Sequence, residues 1–316
     1  MISTRFTELV GCRLPLQQAP MGGVASGPEL AAAVCESGGH GMVGAAMASA
    51  EALAMILDAV AARTSAPMGV NFLIPFVNRE LVRVAAARVR VVDFFYGDPD
   101  PSLVELVHGG GALAGWQVGS AAEARAAVEA GCDLVVAQGV EAGGHVRGRI
   151  GLLPLLAEVR EAVDVPVVAA GGIATARGVA AALAAGADAV RVGTRFIAAE
   201  EADAHPAYVA AILAAGADDA VLTEAFSMGW PDAPHRVLRS CIDAATALDA
   251  DIAGETVLGG VSMPVPRWAP PPPGRSTTGH VEAMALYAGQ GVGAVRAVAP
   301  AAAIVAELTE GLVSGR

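Results

Sequence analysis

Lysine is missing from this 316-residue sequence, so all 20 basic residues are arginines. Without a lysine amine there can be no Schiff-base aldolase chemistry, no pyridoxal phosphate linkage and no phosphate-loop lysine. Cysteine is scarce too. Cys12, Cys35, Cys132 and Cys241 are scattered and form no Cys-x-x-Cys pair, which argues for reduced thiols and a cytoplasmic setting. Cys35 and Cys132 fall at apolar helix ends, where a buried structural thiol is expected. No uninterrupted apolar run has the roughly 20 residues of a membrane span, and no secretory pattern precedes Arg5. Neither His, Cys, Asp nor Glu recurs at metal-ligand spacing, so no metal is expected. The Gly-x-Gly-x-x-Gly signature is absent after the first strand candidate, which disfavours an open doubly wound sheet.

Hydrophobic residues make up 54% of the chain, enough for a large core. The formal net charge is −12, so nucleic acid and anionic membranes are poor partners, and any anion must be held by local geometry. Strand-like segments at 14–19, 41–45, 68–72, 89–95, 113–118, 133–137, 165–170 and 187–192 alternate with helix-like segments at 28–37, 50–63, 78–88, 102–108, 121–130, 152–162 and 175–185. Eight β/α steps predict a closed (β/α)8 TIM barrel. The phrase Ala-Gly-(Ala/Cys)-Asp, at 130–133 and again at 185–188, twice ends a helix and starts a strand. After Phe196 the regularity decays. Segments 207–215 and 234–247 read as helical, and the run Pro270 to Pro273 fits neither a helix nor a central strand. Residues 218–280 are expected to form a small inserted cap, with 1–217 and 281–316 as the barrel. A helix over 299–312 would complete the outer ring, and Tyr287 to Gln290 would return to the mouth.

Residues 165–196 carry two consecutive strand-to-turn junctions. Gly171-Gly172 follows one strand, and Gly193-Thr194 follows the next where a helix would begin. Glycines let backbone N–H groups approach an anion, and a helix start adds partial positive charge, so the pair reads as a phosphate site after late barrel strands. Other unusual residues also fall at strand ends: Met21 and Gly22 after the first, Asn71 after the third, Gln117 after the fifth, and Gln138 to His145 after the sixth. His145 follows two glycines and suits proton transfer near neutral pH. The remaining histidines, His40, His108, His205, His235 and His280, lie at turns or helix ends and are expected to be structural or solvent-facing. Asp203 and His205 precede Pro206 as a helix cap.

The run QGVEAGGHVRG at 138–148, with Ala170-Gly171-Gly172-Ile173 and Gly193-Thr194-Arg195-Phe196, resembles the nitronate monooxygenase family, formerly called 2-nitropropane dioxygenases. Flavin-dependent enoyl reductases of fatty-acid synthesis share the fold and motif. The likeness extends from Ala19-Pro20-Met21 to Tyr287-Ala288-Gly289-Gln290. It implies an FMN-binding barrel in which Asn71, Gln138, Gly143, Gly172 and Arg191, Val192, Gly193 and Thr194 contact the cofactor. Met21 would lie near the ring, with Gly22, Gln117, Gly144 and Gly171 beside these positions, and His145 matches the catalytic histidine. Two departures stand out. The family often has Gln where Arg191 stands, and Val146 separates His145 from Arg147 where monooxygenases commonly read GGHRG.

The implied reaction is oxidation of an alkyl nitronate by O2 to a carbonyl compound and nitrite. Two other readings stay open: an NAD(P)H-dependent enoyl-thioester reductase, with His145 supplying a proton, and a non-catalytic flavin-binding protein. The partners implied are a small molecule with an apolar portion and O2, with NAD(P)H open as a further donor. Specificity would lie near 226–231 and 73–76, which are apolar, and an apolar cap leaves room for a homo-oligomer.

Overall fold

The computed structural model describes residues 3–45, 49–258 and 261–312. Residues 1–2, 46–48, 259–260 and 313–316 belong to the expected barrel and cap spans and lie outside the described residues. Parallel strands β1 (Leu16–Gln18), β2 (Gly41–Gly44), β3 (Met68–Leu73), β4 (Val91–Phe95), β5 (Leu113–Val118) and β6 (Leu134–Gln138) share a sheet with two later ones. After the short β7 (Gly144–His145), these are β8 (Val167–Ala170) and β9 (Ala189–Val192). The strand order is β1-β9-β8-β6-β5-β4-β3-β2. A parallel bridge between Gln17 and His40 joins the two ends, with His40 N–H donating to Leu16 O at 2.8 Å. The expected (β/α)8 barrel is therefore present and closed.

The repeated Ala-Gly-x-Asp phrase now has a physical explanation. Gly131 and Gly186 take φ of +99° and +101°, ending the helix in the left-handed region. Each following aspartate then accepts from a backbone N–H of the neighbouring strand: Asp133 Oδ2 from Ala114 at 2.7 Å, and Asp188 Oδ2 from Val167 at 2.9 Å. One short phrase thus stops a helix and sets the register of the strand after it.

Helix α1 (Arg5–Val10) precedes the barrel, and α2 (Pro28–Glu36), α3 (Ala50–Ala61), α4 (Arg79–Ala86), α5 (Pro101–Gly109), α6 (Ala121–Glu129), α7 (Leu152–Ala162) and α8 (Ala176–Ala184) follow its strands. Side chains of Ser49, Asn78, Asp100, Ser120 and Thr175 cap α3, α4, α5, α6 and α8. Because strand side chains alternate, β4, β6, β8 and β9 each feed two separate cores. Val92, Phe94, Trp116, Val135, Ala137, Val167, Ala169, Val190 and Val192 pack outward with the helices. Val91, Leu134, Val136, Val168, Ala170 and Ala189 form an inner plug with Phe6 and Val10 of α1.

Beyond β9 come α9 (Thr194–Ile197), α10 (Pro206–Ala214) and two small antiparallel sheets. The first pairs β10 (Ala220–Thr223), β11 (His235–Leu238) and β7 in the order β10-β11-β7. This corrects the expected helix over 234–247: residues 235–238 are a buried strand, and only α11 (Arg239–Ala247) is helical. Backbone pairing to β10 and β7 outweighs the local helical pattern there. The second sheet holds β12 (Ile252–Leu258), β13 (Val261–Pro266) and β14 (Thr278–Gly279). The proline run is irregular, as expected, and Tyr287 Oη donates to Pro270 O at 2.7 Å. His205 caps α10 through Nδ1. Helix α12 (Ala301–Leu308) packs between α8 and α2 and completes the ring. Among the described residues, no helix is long and apolar enough to cross a membrane.

Candidate active site

Immediately above the apolar plug, the barrel interior turns polar. The guanidinium of Arg191 on β9 pairs with Asp93 on β4, and the two side chains are 3% and 0% exposed. Arg191 also donates to Gln17 Oε1 at 2.5 Å and to Gln117 Oε1 at 2.9 Å. Asn71 Nδ2 donates to Asp93 Oδ1 at 2.6 Å. These bonds fix every amide by elimination. Gln17 uses its oxygen on arginine, so its NH2 donates to His40 Nδ1 at 2.9 Å, which leaves His40 neutral with its proton on Nε2. Asn71 and Gln117 spend one end of each amide on the ion pair, and among the described residues no hydrogen bond takes the other, Oδ1 and Nε2 respectively.

His145 sits higher, on β7 next to the barrel mouth. Its backbone is held from two sides: Gln138 Nε2 donates to His145 O at 3.0 Å, and β7 pairs with β11 so that His145 faces His235. Aromatic rings surround its imidazole. Trp230 stacks on it with centroids 3.9 Å apart and planes 19° apart. Tyr96, His235 and Tyr287 lie at 5.7, 5.2 and 5.8 Å. Tyr96 holds a left-handed backbone, φ 65°, which costs a non-glycine residue about 1–3 kcal/mol. The next residue, Gly97, accepts from Trp116 Nε1 at 3.0 Å, and a Cβ there would lie 2.3 Å from Ile74, so the turn that aims Tyr96 is locked.

The sequence-predicted residues divide by layer. Asn71, Gln117 and Arg191 belong to the buried network. Gln138 ends β6, Gly143 lies in the loop after it and Gly144 and His145 make β7, and a Cβ on Gly143 would meet Gly289 N at 2.5 Å. The returning segment is stitched to this loop as expected. Gly289 N–H donates to Thr194 Oγ1 at 3.0 Å, and Gln290 N–H to Glu141 O at 2.9 Å. Met21 lies next to Gly193, where a Cβ would sit 3.7 Å from its Sδ, and Gly22 N lies next to Gly44 of β2. Gly171 and Gly172 both have positive φ after β8. Gly193 and Thr194 start α9, where the first N–H groups lack intrahelical partners. The side chain of Val192 packs outward and that of Arg191 inward, so each could meet a ligand at the mouth only through its backbone.

His40 is structural, as expected, and His235 departs from expectation. His40 is fully buried in the barrel wall, and His235 lies directly beside His145. Both ring nitrogens of His235 are used: Nδ1 faces Ala233 O at 2.9 Å, and Nε2 accepts from Phe226 N–H at 3.2 Å. Strand register brings it to the site, and that register is not visible locally. Tyr96 was not singled out in the sequence, although it follows β4 as the other candidates follow their strands. The four cysteines are buried and free; burial pushes Cys12 up to about 12 and Cys35 to about 11, which leaves them inert as nucleophiles. Among the described residues, no group of three or more His, Cys, Asp or Glu could hold a metal.

Burial lowers the pKa of all three enclosed imidazoles. His40 falls to about 3, with the Arg191 charge as second cause, and His145 to about 3, with His235 second. His235 is lowered as well. Native values below the ordinary 6.5 mean that, as pH falls from 6.5 towards 3, the unfolded chain takes up protons that the native state refuses. Stability is therefore expected to fall with pH in that window, by about 1.4 kcal/mol per unit for each fully enclosed imidazole. Urea midpoints at about pH 7.5 and about pH 5 test this: the acid value should be lower, with a smaller drop in His40→Gln. Equal midpoints would contradict it.

Residues 3–78 and 74–311 match the nitronate monooxygenase family. The chain belongs to that family. It is 30% identical over 270 residues to a probable nitronate monooxygenase of Staphylococcus aureus strain JH9, covering 71% of this chain and 76% of that one. It is 35% identical over 248 residues to the (3aS,4S,5R,7aS)-5-hydroxy-7a-methyl-1-oxo-octahydro-1H-indene-4-carboxyl-CoA dehydrogenase of Rhodococcus jostii strain RHA1, covering 76% of this chain. The match spans 66% of that relative, just under two thirds of its length. Among solved structures, FabK from Thermotoga maritima aligns with TM-score 0.80 at 29% identity, covering 99% of this chain and 98% of that one. A nitroalkane oxidase from Streptomyces ansochromogenes aligns with TM-score 0.78 at 32% identity, covering 98% and 99%. This family member is thus an oxidoreductase, and its barrel is the fold of these relatives.

Proposed function

We propose that this nitronate monooxygenase family member binds FMN at the barrel mouth and oxidises alkyl nitronates with O2 to a carbonyl compound and nitrite. Among the described residues three enclosed side-chain polar atoms lack partners, His40 Nε2 deep in the barrel wall and Gln138 Oε1 and His145 Nε2 at the mouth, and the observation that carries the reading is the pair at the mouth. Enclosed polar atoms left unpaired are costly, and their occurrence together at a strand end favours a ligand that satisfies them.

The residues present fit a flavin. Gln138 Oε1 and Asn71 Oδ1 offer acceptors and Gln117 Nε2 a donor to a heterocycle edge, while Gly171, Gly172 and Gly193 supply side-chain-free backbone, and Thr194 the N–H that follows, suited to its phosphate. Bound there, a flavin supplies an electron acceptor at the mouth. The protein's own part is to bind, orient and move a proton. Neutral His145 takes the proton of a nitroalkane C–H bond on Nε2, and the bonding pair passes to the nitro oxygens as planar nitronate. The new anion raises the imidazole's pKa, so the two remain paired. Trp230, Tyr96 and Tyr287 keep water from this contact. Residues 1–217 and 281–316 form the cofactor barrel in this reading, and 218–280 the cap that shapes the substrate space.

Anaerobic mixing of the purified yellow protein with propyl-2-nitronate should bleach its visible absorbance without nicotinamide. An unchanged spectrum would rule the reading out. The 35% identity to a carboxyl-CoA dehydrogenase supports a second reading, in which the chain acts on an acyl thioester with NAD(P)H. Bleaching by NADH and recovery on adding an enoyl thioester would select it.

A further inference from the structure

His145 is enclosed by four ring systems, and they are not held equally. His235 has both nitrogens bonded. Tyr287 donates its hydroxyl to Pro270 O, and its carbonyl accepts from Tyr208 Oη at 2.5 Å. Tyr96 stands on the turn that Trp116 and Gly97 lock. Trp230 differs: among the described residues no hydrogen bond holds its indole, yet it makes the closest contact with the imidazole. It also joins two apolar segments that lie far apart in sequence. Its ring meets Phe76 edge-on at 5.0 Å and Tyr96 at 4.8 Å. Phe76 is 53% exposed and Met228, on the same loop as Trp230, is 50% exposed, so the apolar surface continues outward from the imidazole. The loop carries left-handed backbone on both sides of the indole, at Gly229 (φ 77°) and Asp232 (φ 54°). A Cβ at Gly229 would meet nothing within 4 Å.

Resting on the reading of His145 as the reacting group, we propose that Trp230 is the specificity-determining wall of the site, which admits a flat anion with short alkyl arms to His145 and holds cyclic carbon frameworks off. An indole lying parallel to the imidazole at 3.9 Å occupies the whole of one face. A carbon framework thicker than a planar head group must displace it, giving up its contacts with His145, Tyr96 and Phe76 together. A planar head group with short arms keeps them.

The test is binding, so that it does not depend on turnover. Isobutyrate and cyclohexanecarboxylate share a nitronate's planar, singly charged head group and differ from each other in carrying short methyl arms or a ring, and the perturbed flavin absorbance of the protein as purified reports their Kd. The wild type should favour isobutyrate, and Trp230→Ala should shift the preference towards cyclohexanecarboxylate by at least about tenfold, with Trp230→Phe between. The His145 Cε1 proton resonance verifies the stack, since it should move when the indole is removed. A preference unchanged in Trp230→Ala, with that resonance displaced, overturns the proposal. If Trp230→Ala does not fold, Trp230→Leu reads the same ratio by the same criterion. Failure of the reaction is a separate result: a wild type that binds with the expected preference but leaves nitronate unoxidised sinks the nitronate assignment and keeps Trp230 as the wall.

Discussion

Replacing His145 with Gln is expected to lower kcat for a neutral nitroalkane by about 10²–10⁴-fold, the usual contribution of a positioned acid–base group. Glutamine keeps a polar side chain on β7, so backbone pairing with β11 and the bond from Gln138 to the residue 145 carbonyl should persist. Flavin content, read from the visible spectrum, should be little changed. The pH profile sharpens the test. Burial and His235 push His145 down to about 3, so in the free protein it is neutral throughout the physiological range and ready to accept a proton. The acid limb of kcat/KM due to this group therefore lies well below the ordinary histidine value. Supplying preformed nitronate should rescue much of the loss, because the C–H proton is already gone. Equal losses for nitroalkane and nitronate would show that His145 does not act as the base.

Removing one partner of the Arg191–Asp93 pair should have the largest effect on stability. Both side chains are almost wholly enclosed, and stranding a buried charge typically costs about 3–5 kcal/mol. Asp93→Asn leaves the guanidinium without its counter-charge, and Arg191→Met leaves the carboxylate likewise; each should lower the unfolding free energy by that amount, read from urea denaturation. The double variant Arg191→Met, Asp93→Leu should lose much less than the sum, because no charge is left unpaired. The network also orients Asn71 and Gln117, through Asp93 and Arg191 respectively. If FMN is the ligand, as proposed, its affinity for the apoprotein should therefore fall in the single variants even where the fold survives. Single variants within about 1 kcal/mol of wild type would show that the pair is dispensable.

The barrel was legible because its signals are local. Alternation marks strands, glycine ends helices, and the Ala-Gly-x-Asp phrase does both within four residues. Strand 235–238 was misread because its apolar face follows from pairing with β10 and β7, and one of these partners lies about ninety residues earlier in the chain. His235 was set aside for the same reason. The parity of a strand shows that Asn71, Asp93, Gln117 and Arg191 share the inward side, but not that an arginine and an aspartate 98 positions apart will pair.

By itself the sequence determined the (β/α)8 architecture, the glycine turns after β8 and β9, the chemistry that a chain without lysine must forgo, and His145 as the residue to watch. Only the tertiary structure decided what surrounds that histidine. It turned Arg191 into the barrel to meet Asp93, set His235 opposite His145, and laid Trp230 across its ring. Periodicity and turn chemistry act over a few residues and can be read along the chain. Register, ion pairing and ring stacking join segments 85 or more residues apart here, and exist only once the barrel has closed.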